Sequence, residues 1–149
     1  MKSIVVYSSR GGNTQKVAEA IASDLGCEVV KITKDNQPSE KIADCDLVFV
    51  GTGLMASNIY PDVQHLLENL ALPEPKRFAL FITWGGAGRT DVAALTKLRT
   101  ILHAKGQTVM QDSFACFGGR PYILMKRGHP NSQDLQNAKE WAKKQVATK

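Results

Sequence analysis

Short apolar runs alternate along this chain with longer stretches in which apolar residues recur every three or four positions. The short runs predict β-strands that are buried on both faces, because such strands are continuously apolar. The periodic stretches predict helices with one apolar face. Five strands follow from the pattern: Ser3–Tyr7, Glu28–Ile32, Leu47–Val50, Phe78–Thr83 and Val109–Phe117.

Four helices are predicted between and after these strands. The first covers Thr14–Leu25, and the second begins at Pro61, since proline suits the first position of a helix. The third helix begins near Thr90 and the fourth near Ser132. Trp141 recurs with the apolar positions of the fourth helix, so we expect it in the core rather than in a site.

This alternation predicts an α/β fold, a doubly wound parallel sheet of five strands with helices on both faces. We expect the strand order 2-1-3-4-5. Residues 1–149 are interpreted as one domain, because no repeat, low-complexity segment or linker divides them. Ligands of such sheets bind beyond the carboxyl ends of the strands, so the loops after strands one, three and four should surround one pocket.

The loop after the first strand has the residue types of a phosphate-binding loop. Its turn and the helix start together offer unpaired backbone N–H groups and the positive end of a helix dipole. Glycines leave room for the backbone to curl around phosphate oxygens, and polar side chains add hydrogen bonds. The candidate residues are Ser9, Arg10, Gly11, Gly12, Asn13 and Thr14. A plainer interpretation is that Ser9 or Asn13 caps the helix and the glycines only form the turn.

Two common phosphate-binding motifs do not fit this turn. A nucleoside-triphosphatase loop needs Gly-Lys-Ser/Thr, whereas Gly12 is followed by Asn13. A dinucleotide fingerprint needs Gly-x-Gly-x-x-Gly, which the turn lacks. A similar pattern over Gly51–Ala56, after the third strand, is discounted because the next helix begins only at Pro61.

The loop after the fourth strand places three glycines beside Trp84. Either this is a flexible turn with Trp84 packed in the core, or its backbone approaches a flat ring that Trp84 helps to cover. We favour the second interpretation, because ligand pockets combine a few polar groups with apolar walls.

Composition indicates an ordinary globular protein, with 43% hydrophobic and 22% charged residues. No apolar run approaches the ~20 residues of a membrane span, and Met1-Lys2 leads directly into the first strand without a signal peptide. We therefore expect a cytoplasmic protein. Cys27, Cys45 and Cys116 lack metal-ligand or redox-pair spacing, and we expect buried, reduced thiols. Three scattered histidines suggest no metal site.

The chain is basic, with nineteen lysines and arginines against fourteen acidic residues and a net charge of +5. Such a charge is compatible with nucleic acid, an anionic ligand or an acidic protein partner. No aromatic platform is interleaved with the basic residues, which argues against nucleic acid. The charge is interpreted mainly as a solvated surface, with an acidic partner as the specific alternative.

On these motifs the chain resembles the flavodoxin-like family of FMN-binding proteins over nearly its whole length. The strongest match is Tyr7–Thr14, which looks like the family's FMN phosphate loop, and Gly128-His129-Pro130 is similar to a structural turn of the family. The resemblance implies FMN as the cofactor and a ring site made by two later loops. Those loops correspond to Leu54, Met55, Ala56 and Ser57, and to Thr83, Trp84, Gly85, Gly86, Ala87 and Gly88.

Four features depart from many flavodoxins. Gly11 stands where the family's loop often has threonine, Met55 stands where a tryptophan stacks on the flavin, and Trp84 substitutes for the tyrosine of the later loop. These changes imply a flavin that is held less tightly or is more exposed, although methionine sulfur still packs on aromatic rings. The basic charge is the fourth feature. It implies that the second one-electron reduction of the flavin has a less negative potential than in acidic flavodoxins.

The resemblance implies an FMN-binding electron-transfer protein that exchanges electrons with protein partners, and no side chain is nominated as catalytic. Acidic docking surfaces are expected on those partners, with no nucleic acid and no membrane insertion. One alternative is a small FMN-dependent NAD(P)H:quinone-type oxidoreductase, in which residues 118–127 form a substrate lid or partner surface instead of an ordinary loop. A second alternative is a non-redox binding module on the same fold.

Overall fold

A computed structural model describes residues 1–119 and 128–148 of the chain. Residues 120–127, most of the segment that an oxidoreductase would use as a lid, lie outside the described residues, as does Lys149. The strands are β1 Ser3–Tyr7, β2 Glu28–Lys31, β3 Leu47–Thr52, β4 Leu54–Met55, β5 Asn58–Ile59, β6 Arg77–Trp84, β7 Thr108–Val109 and β8 Phe114–Phe117. The helices are α1 Asn13–Leu25, α2 Ser39–Ala43, α3 Pro61–Glu68, α4 Thr90–Ala104 and α5 Ser132–Ala147.

The main sheet is parallel and has the strand order β2-β1-β3-β6, with β7 and β8 both paired to β6. Strand β7 pairs with the first residues of β6, and β8 pairs with its last residues. The two short strands together take the place of the fifth predicted strand. The α/β class and the order 2-1-3-4-5 are therefore confirmed.

The last strand is broken in two. The pattern predicts one strand over Val109–Phe117, but residues 110–113 belong to neither β7 nor β8. Arg99 of α4 donates hydrogen bonds from its guanidinium to the carbonyl oxygens of Met110 and Gln111, both at 2.9 Å. Met110 is buried, and because a buried carbonyl needs a donor, Arg99 supplies the hydrogen bond that a neighbouring strand would otherwise supply. Arg99 thus stabilises the break.

One helix and one β-hairpin are also absent from the prediction. Helix α2 is only five residues long, too short for a periodic pattern to reveal it. Strands β4 and β5 form an antiparallel hairpin in the loop after β3. Its turn residues Ala56 and Ser57 have φ angles of 50° and 65°, where glycine or asparagine is the usual signal in a sequence. That signal is missing here.

Helices cover both faces of the sheet, with α1 and α5 packed together on one face and α3 and α4 on the other. Alternate residues of a strand point to opposite faces. Ile4 and Val6 therefore join the core under α3 and α4, while Val5 joins the core under α1 and α5. Trp141 is 8% exposed and packs edge-on against Phe49, with 5.7 Å between ring centroids, which confirms its place in the core.

The larger helices are amphipathic, each with buried apolar residues on one side and exposed residues on the other. Within the described residues, no helix is both long and apolar enough to cross a membrane.

Strand β3 lies in the middle of the sheet, and all of its residues are buried. Its Gly51 faces the fully buried ring of Phe81 on the neighbouring β6, and a Cβ at this position would overlap that ring. Close packing of this kind leaves no space for an added methyl group.

Gly51→Ala is expected to destabilise the fold by about 1–3 kcal/mol, because the added methyl group collides with a ring that cannot move away. Urea unfolding followed by circular dichroism measures the change. Gly128→Ala is the control, since Gly128 is exposed and a Cβ there meets nothing within 4 Å. Equal stability of the two variants would contradict this account of β3.

Candidate functional site

The loops after β1, β3 and β6 lie side by side at one edge of the sheet. These strands are parallel neighbours, with Tyr7 paired to Gly51 and Thr52 paired to Ile82. Their carboxyl ends therefore meet at the same edge, and the helices α1, α3 and α4 begin there. We call this side of the sheet the carboxyl edge, and we call its connections the first loop (residues 8–12), the second loop (53–60) and the third loop (85–89).

The first loop forms a tight turn that leaves the start of α1 without a side-chain cap. Ser9 Oγ accepts a hydrogen bond from the backbone N–H of Gly12 at 3.1 Å. Gly12 is the N-cap residue and has a φ of 89°, a backbone conformation that favours glycine. Within the described residues, no side chain caps α1 and no acidic residue lies in its first turn. The interpretation of Ser9 or Asn13 as the helix cap is therefore wrong.

Free N–H groups of this turn lie beside open space. No acceptor among the described residues binds the backbone N–H of Gly11 or of the first three helical residues, Asn13–Gln15. A Cβ built on Gly11 or Gly12 would meet nothing within 4 Å. Unpaired N–H groups at the positive end of a helix attract anions. The first loop thus has the donors and the space that a phosphate group needs.

Two polar side chains at the start of α1 connect the first loop to distant parts of the chain. Thr14 Oγ1 lies 2.8 Å from Thr83 Oγ1 at the end of β6, and both side chains are buried. Asn13 Nδ2 donates to the carbonyl oxygen of Gly119, in the segment that follows β8, at 2.8 Å. These contacts join residues far apart in the chain, so the sequence carries no signal for them. Asn13 and Thr14 therefore position the loops relative to one another.

The predicted residues Leu54–Ser57 belong to the hairpin of the second loop. Met55 is 43% exposed and the two turn residues after it are exposed as well, whereas Leu54 is half-buried. Lys97 Nζ donates to Asn58 Oδ1 at 3.0 Å and so connects α4 to the hairpin. Met55 presents an apolar, polarizable side chain at the carboxyl edge.

Tyr60 is a residue of the second loop that the sequence pattern does not single out. Its ring is buried against the backbone of Gly53, and the guanidinium of Arg10 lies over the ring, 5.2 Å from the centroid. Its backbone N–H donates to Thr52 Oγ1 at 3.2 Å. Tyr60 thus links the first and second loops. In the sequence, its position directly before Pro61, at the start of a predicted helix, is the feature that could have pointed to it.

Trp84, at the end of β6, is half-buried rather than enclosed in the core. The centroid of the Trp84 ring lies 5.9 Å from that of the Phe117 ring. The Arg89 guanidinium lies over the Trp84 ring, also 5.9 Å from its centroid. The carbonyl oxygen of Trp84 accepts a hydrogen bond from the N–H of Gly118 at 2.9 Å. The segment Gly85–Gly88 is largely exposed, and a Cβ on its first or last glycine would meet nothing within 4 Å. The backbone of the third loop therefore has open space beside it.

Asp91 is a buried carboxylate in the first turn of α4, directly after the third loop. Its Oδ2 accepts a hydrogen bond from Arg89 at 3.3 Å. Its Oδ1 is buried and has no hydrogen-bond partner within the described residues. A buried acceptor without a donor is unfavourable, so a donor from a ligand or a water molecule would stabilise it.

The thiols of the described residues have raised pKa values, which disfavours the thiolate form. Cys27, Cys45 and Cys116 are free, and the last two are buried, whereas Cys27 is half-buried. Burial raises the pKa of the Cys116 thiol to about 12 and also raises the pKa of Cys27 and Cys45. In the same residues, no group of three or more histidine, cysteine, aspartate or glutamate side chains is arranged to hold a metal ion.

Thr14→Val is expected to lower the free energy of unfolding of the ligand-free protein by about 1–3 kcal/mol, because it leaves the Thr83 hydroxyl buried without its partner. The double variant with Thr83→Val removes both hydroxyls and should cost less than the sum of the single changes. Thr96→Val, on an exposed part of α4, is the control and should have little effect. Additive costs in urea unfolding would contradict a direct hydrogen bond.

Comparison with known proteins agrees with this arrangement of strands and loops. A model of the flavodoxin domain family matches residues 4–127 of the chain. An uncharacterized protein of Methanocaldococcus jannaschii is 29% identical over 152 residues, which cover 96% of this chain and 97% of that protein. The flavodoxin-like domain-containing protein BilS of Clostridioides difficile is 29% identical over 127 residues, which cover 79% of this chain and 66% of BilS.

Solved structures share the fold. A flavodoxin from the domain Archaea has a TM-score of 0.76 and 21% identity, and the match covers 99% of this chain and 100% of that one. Oxidised flavodoxin 1 from Bacillus cereus has a TM-score of 0.79 and 17% identity, over 100% of this chain and 99% of that one. Because the family model covers the sheet and all three loops of the carboxyl edge, this chain belongs to the flavodoxin domain family.

Proposed function

We propose that this protein binds FMN and carries electrons between partner proteins. The observation that supports the proposal most strongly is the uncapped start of α1, where free N–H groups lie beside open space at Gly11 and Gly12. The same sheet edge carries exposed Met55 and half-buried Trp84, which suit a flat aromatic ring. An anion site next to a ring site fits a ligand that has both a phosphate and a ring.

The first loop would hold the phosphate of FMN. The backbone N–H groups of Gly11 and Asn13–Gln15 would donate to phosphate oxygens, and exposed Arg10 adds a positive charge. Ser9 holds the turn through its hydrogen bond from Gly12, so the donors are oriented before the ligand arrives. A preorganised site loses little conformational entropy on binding.

Residues of the second and third loops would hold the isoalloxazine ring. Met55 offers a polarizable thioether and Trp84 an aromatic face, and the glycines of the third loop leave its backbone accessible. When bound, the flavin supplies the one- and two-electron chemistry, and the protein supplies position and electrostatics. Exposure of Met55 supports a flavin edge that a partner protein can approach.

An electron carrier needs no reactive side chain, because the bound flavin supplies the redox chemistry. The thiols have raised pKa values, Asp62 accepts a hydrogen bond from the Ser8 hydroxyl at 3.4 Å, and Asp91 pairs with Arg89. An NAD(P)H:quinone-type oxidoreductase would use the same cofactor site. Steady oxidation of NADH or NADPH by the pure protein with a quinone would favour the oxidoreductase, whereas electron exchange only with a protein reductase would favour the carrier.

Gly11→Asp is expected to weaken FMN binding by about tenfold or more, because the new carboxylate lies at the anion site and repels the phosphate. Titration of the flavin-free protein with FMN, followed by quenching of flavin fluorescence, measures the dissociation constant. Ala71→Asp adds the same charge at an exposed position between α3 and β6, on the opposite edge, and should leave binding unchanged. Unchanged affinity in Gly11→Asp would overturn the phosphate site.

Arg10→Gln is expected to make the reduction potential of bound FMN more negative by about 20–60 mV, because loss of a nearby positive charge disfavours the anionic reduced flavin. For the same reason we propose that the unmodified basic protein has a less negative potential than acidic flavodoxins. Spectroelectrochemical titration at low salt measures the shift. Lys144→Gln, exposed near the end of α5, is the control. Equal potentials in both variants would show that the Arg10 charge does not act on the flavin.

A further inference from the structure

Asp91 is a buried carboxylate that does not cap the helix in which it lies. It belongs to the first turn of α4, where the positive end of the helix dipole favours an acidic side chain. Its side chain is only 8% exposed. Within the described residues, no side chain caps α4, and Asp91 Oδ1 has no hydrogen-bond partner. The ordinary role of an acidic residue at a helix start therefore does not account for its burial.

The guanidinium of Arg89 is the single hydrogen-bond donor to this carboxylate among the residues that the structure describes. Arg89 Nη2 lies 3.3 Å from Asp91 Oδ2. The Arg89 side chain is 75% exposed, so the two partners depend on the ion pair unequally. A buried carboxylate without a partner is strongly unfavourable, whereas an exposed arginine stays hydrated by itself. Asp91 thus restricts Arg89 to conformations that keep its guanidinium on the carboxylate.

The third loop brings the same guanidinium over the indole ring of Trp84. Gly86 and Gly88 have φ angles of 85° and 61°, which turn the chain back toward the end of β6. The Arg89 guanidinium lies 5.9 Å from the centroid of the Trp84 ring, within the range of a cation–π contact. Arg89 therefore links the buried Asp91 carboxylate to an aromatic ring of the proposed flavin site.

Trp84 has one further ring contact on the page of the sheet from which it emerges. It is half-buried, packs against the core under α3 and α4, and has its ring centroid 5.9 Å from that of Phe117. The part of the indole that stays accessible is the part that a flat ligand can use. A cation held against this indole limits the orientations that it can adopt.

We infer that Asp91 is a positioning residue of the ring site: it holds Arg89 over Trp84, so that a flat ring meets an indole of fixed orientation. The inference rests on the proposed function, because it concerns the ring site of the same cofactor. A side chain that is ordered before binding spares the ligand the entropy cost of ordering it. Asp91 acts through Arg89 and does not itself hold the ligand.

Fluorine NMR of the flavin-free protein tests this link directly. The chain has two tryptophans, so labelling with 5-fluorotryptophan gives two resonances, and Trp84→Phe assigns them. Asp91→Asn and Arg89→Gln are each expected to move the Trp84 resonance in the same direction and by a similar amount, because both release the guanidinium from the ring. Trp141 is buried in the core and should keep its resonance, which shows that the fold is intact.

A double variant and a matched control make the fluorine test specific. Asp91→Asn should move the Trp84 resonance no further when Arg89→Gln is already present, since the side chain through which it acts is gone. Asp24→Asn breaks an ion pair with Lys143 that has the same length of 3.3 Å, near the end of α1, and should leave the Trp84 resonance in place. An unmoved Trp84 resonance in Asp91→Asn, or an equal shift with and without Arg89, would overturn the inference.

Riboflavin, which has the isoalloxazine ring but no phosphate, separates the ring site from the phosphate site. Asp91→Asn is expected to weaken the binding of riboflavin and of FMN by the same factor, about threefold or more, because Trp84 then has to be ordered on binding. Quenching of flavin fluorescence measures both dissociation constants, and Asp24→Asn should change neither. Unchanged affinities in Asp91→Asn, or a loss of affinity for FMN alone, would overturn the role at the ring site.

The two measurements also distinguish this inference from the proposed function. If the unaltered protein bound neither FMN nor riboflavin, the proposed function would be overturned and the role at the ring site with it. The fluorine spectra are recorded without flavin, so they decide by themselves whether Asp91 positions Trp84.

Discussion

The in-register parallel pairing of β1, β3 and β6 is the constraint on which the rest of this structure depends. It brings three loops out at one edge, next to the starts of three helices. Burial fixes the register, because a slip by one residue would turn the core side chains of a strand to the opposite face. Gly51 lies directly against the Phe81 ring, so the middle of the sheet has no space for a side chain at this position.

Different atoms of the first loop serve stability and binding. The side chains of Ser9, Asn13 and Thr14 make hydrogen bonds within the protein, whereas several backbone N–H groups have no acceptor among the described residues. An uncapped helix start costs about 1 kcal/mol, and an anion bound there offsets that cost. Because the donors are main-chain groups, a phosphate site is compatible with glycine at position 11, where many flavodoxins have a hydroxyl side chain. The contacts of Asn13 and Thr14 hold those donors in place.

Local chemistry and periodicity account for what could be predicted from the sequence. The α/β order, the start of α3 at Pro61 and the core position of Trp141 depend on neighbouring residues, and the structure confirms them. Contacts between distant residues were beyond that reasoning. The bond from Asn13 to Gly119 spans 106 residues, and the break in the last strand depends on Arg99, which reaches it only after α4 packs against the sheet.

The absorbance spectrum of the purified, desalted protein tests most directly the central claim that the three loops of the carboxyl edge form a flavin site. The account predicts blue and near-ultraviolet bands that persist through desalting, either in the protein as isolated or after reconstitution with FMN, with quenched flavin fluorescence. A colourless protein that leaves the fluorescence of added FMN unquenched would contradict it. The remaining conclusion would then be a flavodoxin fold whose anion site serves a different ligand.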